Sequence, residues 1–168
     1  MNVSAPAIRK SELDEDAANQ YLTFLLAGEE YGVDILKVQE IRSWEQPTML
    51  PNAADYVLGV INLRGTVVPI IDLRRRFAME KSQFGQTTVV VVVKVSSADK
   101  ERTIGIVVDA VSEVYNVTDE QIRPAPDLGG AISTEFVKGL ATLGEKMIIL
   151  LDIDKLINAG VLKEIEKD

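Results

Sequence analysis

The residue best placed for covalent chemistry is Asp72. It closes the apolar run Val67–Ile71, and a carboxylate at the end of a buried strand is where a receiver domain carries its phosphoacceptor. Asp152 holds the same place after Met147–Leu151. One architectural need, ending a strand and capping the next turn, explains both. Receiver sheets also require a helix after each strand, and the connections here are too short. Asp152-x-Asp154 opens like a calcium loop, but Leu156 and Ile157 stand where an oxygen donor and a glycine are needed. The chain has no His and no Cys, which removes the commonest general base, the commonest zinc ligand, thiolate nucleophiles and disulfides. There is no Gly-Lys pair for a phosphate loop, and Gly129-Gly130 lacks a dinucleotide fingerprint. No catalytic constellation, metal site or cofactor site is expected.

Arg74-Arg75-Arg76 is the densest cationic cluster. A single-strand nucleic-acid site would need stacking aromatics beside it, and only Phe77 is adjacent. The net charge of −8 opposes phosphate binding and polybasic membrane anchoring alike. A solvated, partly ion-paired turn is the simpler reading. Apolar runs such as Val89–Val93 fall far below the ~18 residues of a spanning helix. The N-terminal segment lacks an apolar signal core, so a soluble cytoplasmic protein is expected.

The elements that would position a site are mostly strands. Residues 1–19 are polar and acidic and read as a tail. Strand patterns follow at Tyr21–Ala27, a turn at Gly28-Glu29-Glu30, and Tyr31–Ile35. Val60–Leu63 and Thr66–Leu73 flank Arg64-Gly65, which reads as a hairpin turn. Thr87–Val93 is seven consecutive β-branched residues, a strand buried on both faces. Further buried strands are read at Thr103–Val108 and Met147–Leu151. Helical turns are expected after Asn52 and after Thr118 as N-caps, and a helix from Ile153 to about Glu166 behind Asp152.

Much of the chain repeats. Asp55-Tyr56-Val57-x-Gly59-x-x-Asn62-Leu63 returns 80 residues later as Glu135-Phe136-Val137-x-Gly139-x-x-Thr142-Leu143, and the match continues to Asp72 and Asp152. Gly32-Val33-x-Ile35-x-x-Val38-x-Glu40-Ile41 returns at an offset of 73 as Gly105-Ile106-x-Val108-x-x-Val111-x-Glu113-Val114. The fold expected is mainly β, with two barrel subdomains of about five short strands each, side by side. The approximate halves are 21–86 and 87–158, with short helices and a C-terminal helical extension at 159–168. Each half is marginal alone, so the two should share a core, and the groove between them is the natural place for a partner.

Arg64 is the leading functional candidate from the repeat, because Gly144 takes its place in the other half and no shared structural need explains it. Arginine is enriched at interface hot spots. Val38 and Ile41 are three apart, so one helical turn would put both on one face. Val111 and Val114 repeat that spacing. Gly59 and Gly139 read as positions of tight turn or close backbone approach.

The segments at 28–42 (GEEYGVDILKVQEIR), 59–74 (GVINLRGTVVPIIDLR), 120–126 (EQIRPAP) and 133–140 (STEFVKGL) closely resemble the CheW family of bacterial chemotaxis coupling proteins. The resemblance spans about residues 20–158. Close relatives are the CheW-like regulatory domain of the kinase CheA and the coupling half of CheV. Those carry extra domains, so a stand-alone coupling protein is expected here.

The resemblance implies two five-stranded SH3-like barrels and a non-enzymatic adaptor role without cofactors. It implies chemoreceptor cytoplasmic tips bound in the groove between the barrels. It implies the regulatory domain of CheA, and copies of the chain itself in array rings, bound through barrel ends. Val38, Arg64 and Val114 are assigned to receptor contact; Glu40, Ile41, Gly59, Arg123 and Leu128 are assigned to kinase contact. Leu128 departs from the aromatic often found in its loop, and Ser43-Trp44 stands where some relatives carry Gly-Tyr.

Overall fold

The computed structural model describes residues 19–80, 84–97, 100–126 and 134–158. The tail read at 1–19, apart from Asn19, and the extension at 159–168 lie outside the described residues, as does the continuation of the last helix toward Glu166. Among the described residues eleven strands follow in order: β1 Asn19–Leu26, β2 Glu29–Asp34, β3 Val38–Ser43, β4 Val57–Leu63, β5 Thr66–Asp72, β6 Val89–Ser97, β7 Lys100–Val108, β8 Ala110–Val117, β9 Ile122–Arg123, β10 Val137–Leu143 and β11 Lys146–Leu151. They form two sheets, ordered β8-β1-β2-β11-β10-β9 and β3-β6-β7-β5-β4.

These sheets do not follow the division at residue 86. β1 and β2 leave the first half and join β8 to β11, while β3 to β7 make the other sheet. The repeat is nonetheless visible in the pairing. β5 runs parallel to β7 with Ile70 opposite Gly105, and β11 runs parallel to β2 with Leu150 opposite Gly32. Asp72 N–H donates to Tyr56 O at 2.8 Å, and Asp152 N–H donates to Phe136 O at 2.9 Å.

β6 shows why a β-branched run makes a doubly buried strand. Successive side chains point to opposite faces. Val91, Val93 and Val95 enter a central apolar cluster, while Val90 and Val92 fill the interior of the β3–β7 sheet with Leu63, Val68, Ile70 and Val107. The other sheet has its own small interior of Tyr21, Val117, Ala141, Ile148 and Leu150. The central cluster draws on both sheets, with Phe24, Tyr31 and Leu151 from one and Ile71, Phe77 and Ile106 from the other side.

Each sheet curls back on itself. After β3 the chain returns to the far edge, where Thr48 bridges Val60 with Thr48 N–H to Val60 O at 2.9 Å and the reverse bond at 2.8 Å. After β8, β9 likewise pairs with β10, Arg123 opposite Leu140. The repeated glycines make this closure possible. A Cβ on Gly59 would lie 2.1 Å from Thr48 O, and one on Gly139 would lie 2.6 Å from Ile122 Cγ2. Gly59 also has φ +145°, a conformation side chains disfavour. Both glycines sit at register shifts against their hairpin partners.

Three local readings shift. The first turn falls on Ala27-Gly28, with φ +52° and +86°, so Glu29 and Glu30 open β2. Asn52 does not cap a helix; it takes φ +59° in a turn. The Thr48 bridge fixes the chain before it, and asparagine tolerates the left-handed region that then reverses direction. Thr118 does begin a short 3-10 turn, Asp119–Gln121, with Gln121 Oε1 accepting from Thr118 N–H at 2.8 Å.

Gly59→Ala should destabilise by about 2–4 kcal/mol, from overlap and backbone strain together, lowering the thermal midpoint by about 5–15 °C. Gly85→Ala, which meets nothing within 4 Å, should change stability by no more than about 0.5 kcal/mol. Calorimetry of the two variants checks this, and equal midpoints would contradict the role given to the close approach.

Candidate partner-binding surfaces

Val38 and Ile41 do lie on one face, but of a strand. Val38 pairs with Val93 and Ile41 with Val91, two residues apart, while the extra residue is absorbed by a bulge between Val38 and Glu40. β8 repeats this geometry against β1: Val114 pairs with Leu22 and Val111 with Phe24. Buried Thr23 stabilises the second bulge, donating to Glu113 O at 2.8 Å and accepting from Glu113 N–H at 3.1 Å. In each copy the inner residue, Val38 or Val111, packs on the central cluster. The outer residue is exposed, Ile41 at 44% and Val114 at 45%. The strand pair thus offers two equivalent apolar contact points, one per sheet.

Arg64 sits at the β4–β5 hairpin tip with φ +51° beside Gly65 at +89°. Both central residues at positive φ define the hairpin-compatible turn, and the left-handed region costs a residue with a side chain about 1–2 kcal/mol. Asn62 Oδ1 accepts from Gly65 N–H at 2.8 Å and braces the turn. The Arg64 side chain is 73% exposed and its guanidinium donates to Glu40 Oε2. Glu40 is also 3.8 Å from Arg42, which lies 3.6 Å from Glu45. Residues assigned to different partners, Arg64 and Glu40, are therefore one ion pair. Its repeat counterpart Glu113 accepts from Tyr115 Oη at 3.0 Å instead.

Gly59 cannot itself touch a partner, since it lies beneath Thr48 and Met49. It shapes the segment above it, where Met49 is 74% exposed and Leu50 is also exposed. Trp44 stacks on Phe84 with ring centroids 4.2 Å apart. Together with Pro47, Met49, Leu50 and Leu58 these rings line a cavity of about 340 Å³. Sequence reasoning missed this patch, because Met49-Leu50 sits in a loop without periodicity. Arg123 is exposed on β9, in the other sheet from Glu40 and Ile41. Leu128 lies outside the described residues. Three cavities, of about 340, 490 and 380 Å³, are lined by residues of the β3–β7 sheet and its loops.

The arginine run is engaged. Arg74 pairs with Asp109 at 2.6 Å and Arg75 with Asp72 at 3.3 Å. Arg76 lies over the rings of Tyr56 and Phe136, at 5.4 and 5.2 Å. Asp72 caps the helical turn Leu73–Arg76, accepting from Arg74 N–H at 3.1 Å, and is buried. Asp152 likewise caps Ile153–Leu156, accepting from Lys155 N–H at 3.1 Å.

Residues 20–161 match the family model described as the CheW-like domain. The chain belongs to the CheW family. It is 49% identical over 145 residues to the chemotaxis protein CheW of Klebsiella aerogenes, covering 86% of this chain and 85% of that one. Against the chemotaxis protein CheW of Rhizobium meliloti it is 36% identical over 141 residues, covering 84% and 88%. Among solved structures it is similar to the scaffolding protein TtCheW of Thermoanaerobacter tengcongensis, with TM-score 0.74, 34% identity, and coverage of 83% and 88%.

Membership of the CheW family makes this a chemotaxis scaffold, and the mainly β, two-sheet fold agrees with that of its solved relative. Among the described residues no helix is long and apolar enough to cross a membrane. In this CheW-family chain Asp72 is a structural cap whose burial pushes its carboxyl above the usual range, with Arg75 pulling the other way. A carboxyl raised on folding costs stability while ionised, and the cost is relieved as pH falls through the raised value. Asp72→Asn keeps a capping oxygen and removes that charge. Its stability relative to the parent should therefore be best at neutral pH and decline as pH falls toward 4, about the unfolded carboxyl value. Urea titrations across pH check this; a relative stability that rises on acidification would contradict it.

Proposed function

We propose that this chain couples chemoreceptors to the histidine kinase CheA, without making or breaking a bond, and is recruited from the cytoplasm to membrane-associated receptor arrays. The observation that carries the reading is the duplicated strand geometry, which puts one exposed apolar contact on each sheet, joined to membership of a scaffold family. Two partners held at once need two surfaces, and a duplicated fold supplies them.

Val38, Arg64 and Val114 are the receptor contacts in this reading, taking the apolar face of a receptor helix. Glu40, Ile41, Arg123 and Leu128 contact the kinase regulatory domain, and Gly59 shapes that surface by seating the Thr48–Met49 segment. The Arg64–Glu40 ion pair joins the two sets. A kinase surface that takes up Glu40 competes for it with Arg64, so engagement of one partner alters what the other meets. Receptor state reaches the kinase only by changing the relative free energy of two arrangements of the assembly. Interfaces of about 800 Å² per partner support micromolar contacts, near −8 kcal/mol each. Multivalency in the array then supplies persistence.

Titration calorimetry with a receptor hairpin and a CheA regulatory-domain fragment tests the reading. Each should bind at roughly micromolar affinity. Ile41→Asp should weaken kinase binding about tenfold or more and leave receptor binding within about twofold. Arg64→Glu should fold normally, because an exposed ion pair is worth under about 1 kcal/mol, yet lose receptor affinity. Absence of binding to both partners at high micromolar concentration would sink the proposal.

A further inference from the structure

The chain passes between the sheets twice, at residues 35–37 from β2 to β3 and at Asp109 from β7 to β8. Both crossings are held by a carboxylate. Asp109 accepts from Arg74 Nε at 2.8 Å and from Arg74 Nη2 at 2.6 Å. It also accepts from Ala27 N–H at 2.9 Å, and Ala27 is in the β1–β2 hairpin of the other sheet. At the first crossing, Lys37 Nζ donates to Asp154 Oδ2 at 2.7 Å. Asp154 Oδ1 accepts from Ser96 N–H at 2.9 Å, and Ser96 is in β6 of the other sheet.

The two clusters are alike in layout under the repeat, although the crossing residues stand one place apart: at the offset of 73 Asp109 answers Leu36, not Lys37. Arg74 and Asp154 are 80 residues apart, each in the helical turn that follows its sheet's β5 or β11. Ala27 and Ser96 stand at the ends of β1 and β6, which pair alike with β2 and β7. The charges are exchanged. In one clamp the turn supplies the cation and the crossing the anion; in the other the turn supplies the anion and the crossing the cation. In the first clamp the Arg74 ion pair makes the link between sheets, since Asp109 N–H itself donates to Leu25 O of that hairpin at 3.0 Å; in the second the Asp154 carboxylate reaches Ser96 N–H of the other sheet. Each crossing thus carries an ion pair to the helical turn that follows β5 or β11, built from different residues in the two copies.

Apolar packing between the sheets is non-directional and fixes their angle poorly, whereas charge-assisted hydrogen bonds are short and directional. The Arg74 hydrogen bonds hold the Asp109 carboxyl below the usual carboxylate range despite its partial burial. We propose that Asp109 and Asp154 are positioning residues that lock the angle between the two sheets, so that receptor and kinase surfaces stay in register. The register of those surfaces rests on the coupling function proposed above; the locking of the angle does not.

The chain has no Cys, so two introduced cysteines label it uniquely. Val67→Cys on β5 and Met147→Cys on β11 place one spin label on each sheet, at positions 63% and 58% exposed. Pulsed electron resonance then reports the inter-sheet distance distribution in the full chain. Asp109→Asn and Asp154→Asn together should broaden that distribution about twofold. The milder Lys37→Met, which leaves Asp154 its bond from Ser96, should broaden it less and guards against a variant that fails to fold. In the receptor–kinase assembly, the double variant should bind each partner within about threefold while receptor control of the kinase falls about fivefold or more. Unchanged widths in folded variants would overturn the locking role. Broadened widths with full receptor control would overturn its link to coupling. A parent chain that binds neither partner would remove the coupling function and leave the distance measurement to decide the clamps.

Discussion

Phe24, Tyr31, Phe77, Val91, Ile106 and Leu151 meet in one apolar layer to which both sheets contribute. The rest of the molecule depends on it. The interiors proper to each sheet are small, five or six buried residues apiece among the described residues, and sheets of that size bury too little surface to stand alone. Phe24, Tyr31 and Phe77 form a chain of stacked rings through the layer, with centroids 6.1 and 6.2 Å apart. Such a layer supplies the driving force but no sense of direction. Direction comes from polar groups at its margin: the two clamps, and Arg76 between Tyr56 and Phe136, which are themselves repeat equivalents.

This division of labour explains how one duplicated unit acquires two different surfaces. Positions that face the shared layer keep their character in both copies, as Val38 and Val111 do, and Gly59 and Gly139 keep the space that closure demands. Positions at the rim are free to diverge. Arg64 stands against Gly144, and Glu40 bonds an arginine where Glu113 bonds a tyrosine. Distinct partners need distinct rims, and a common core leaves the rims unconstrained.

What was legible in the sequence was local or repeated. Of the run Thr87–Val93 the valines read correctly as a strand because β-branched residues leave little else open, while Thr87 and Thr88 fall in the turn before β6; Arg64-Gly65 reads as a turn because glycine supplies the left-handed position. Asp72 reads as a cap because Asp152 repeats it. The exchange of β1 and β2 into the far sheet was not legible, since a repeat fixes the order of blocks and not their pairing partners. The three-residue spacing of Val38 and Ile41 fits a helical turn and a bulged strand equally well. Asn52 has a capping side chain, yet the Thr48 bridge overrides it. Met49 and Leu50 carry no periodic signal, so their exposure is a property of the fold alone.

The exchange of β1 and β2 also sets an order of events at the ribosome. The β3–β7 sheet is complete once Val108 has emerged, but β1 and β2 appear first and must wait, β1 for β8 and β2 for β11. At roughly 5–20 residues per second that delay is on the order of ten seconds. Until β8 arrives Tyr21, Phe24 and Tyr31, all buried in the finished molecule, have no strand outside their own hairpin to pair with. The nascent chain thus carries a hydrophobic hairpin seeking a partner, and the interval is one in which a chaperone, or a neighbouring nascent copy, finds it unsheltered.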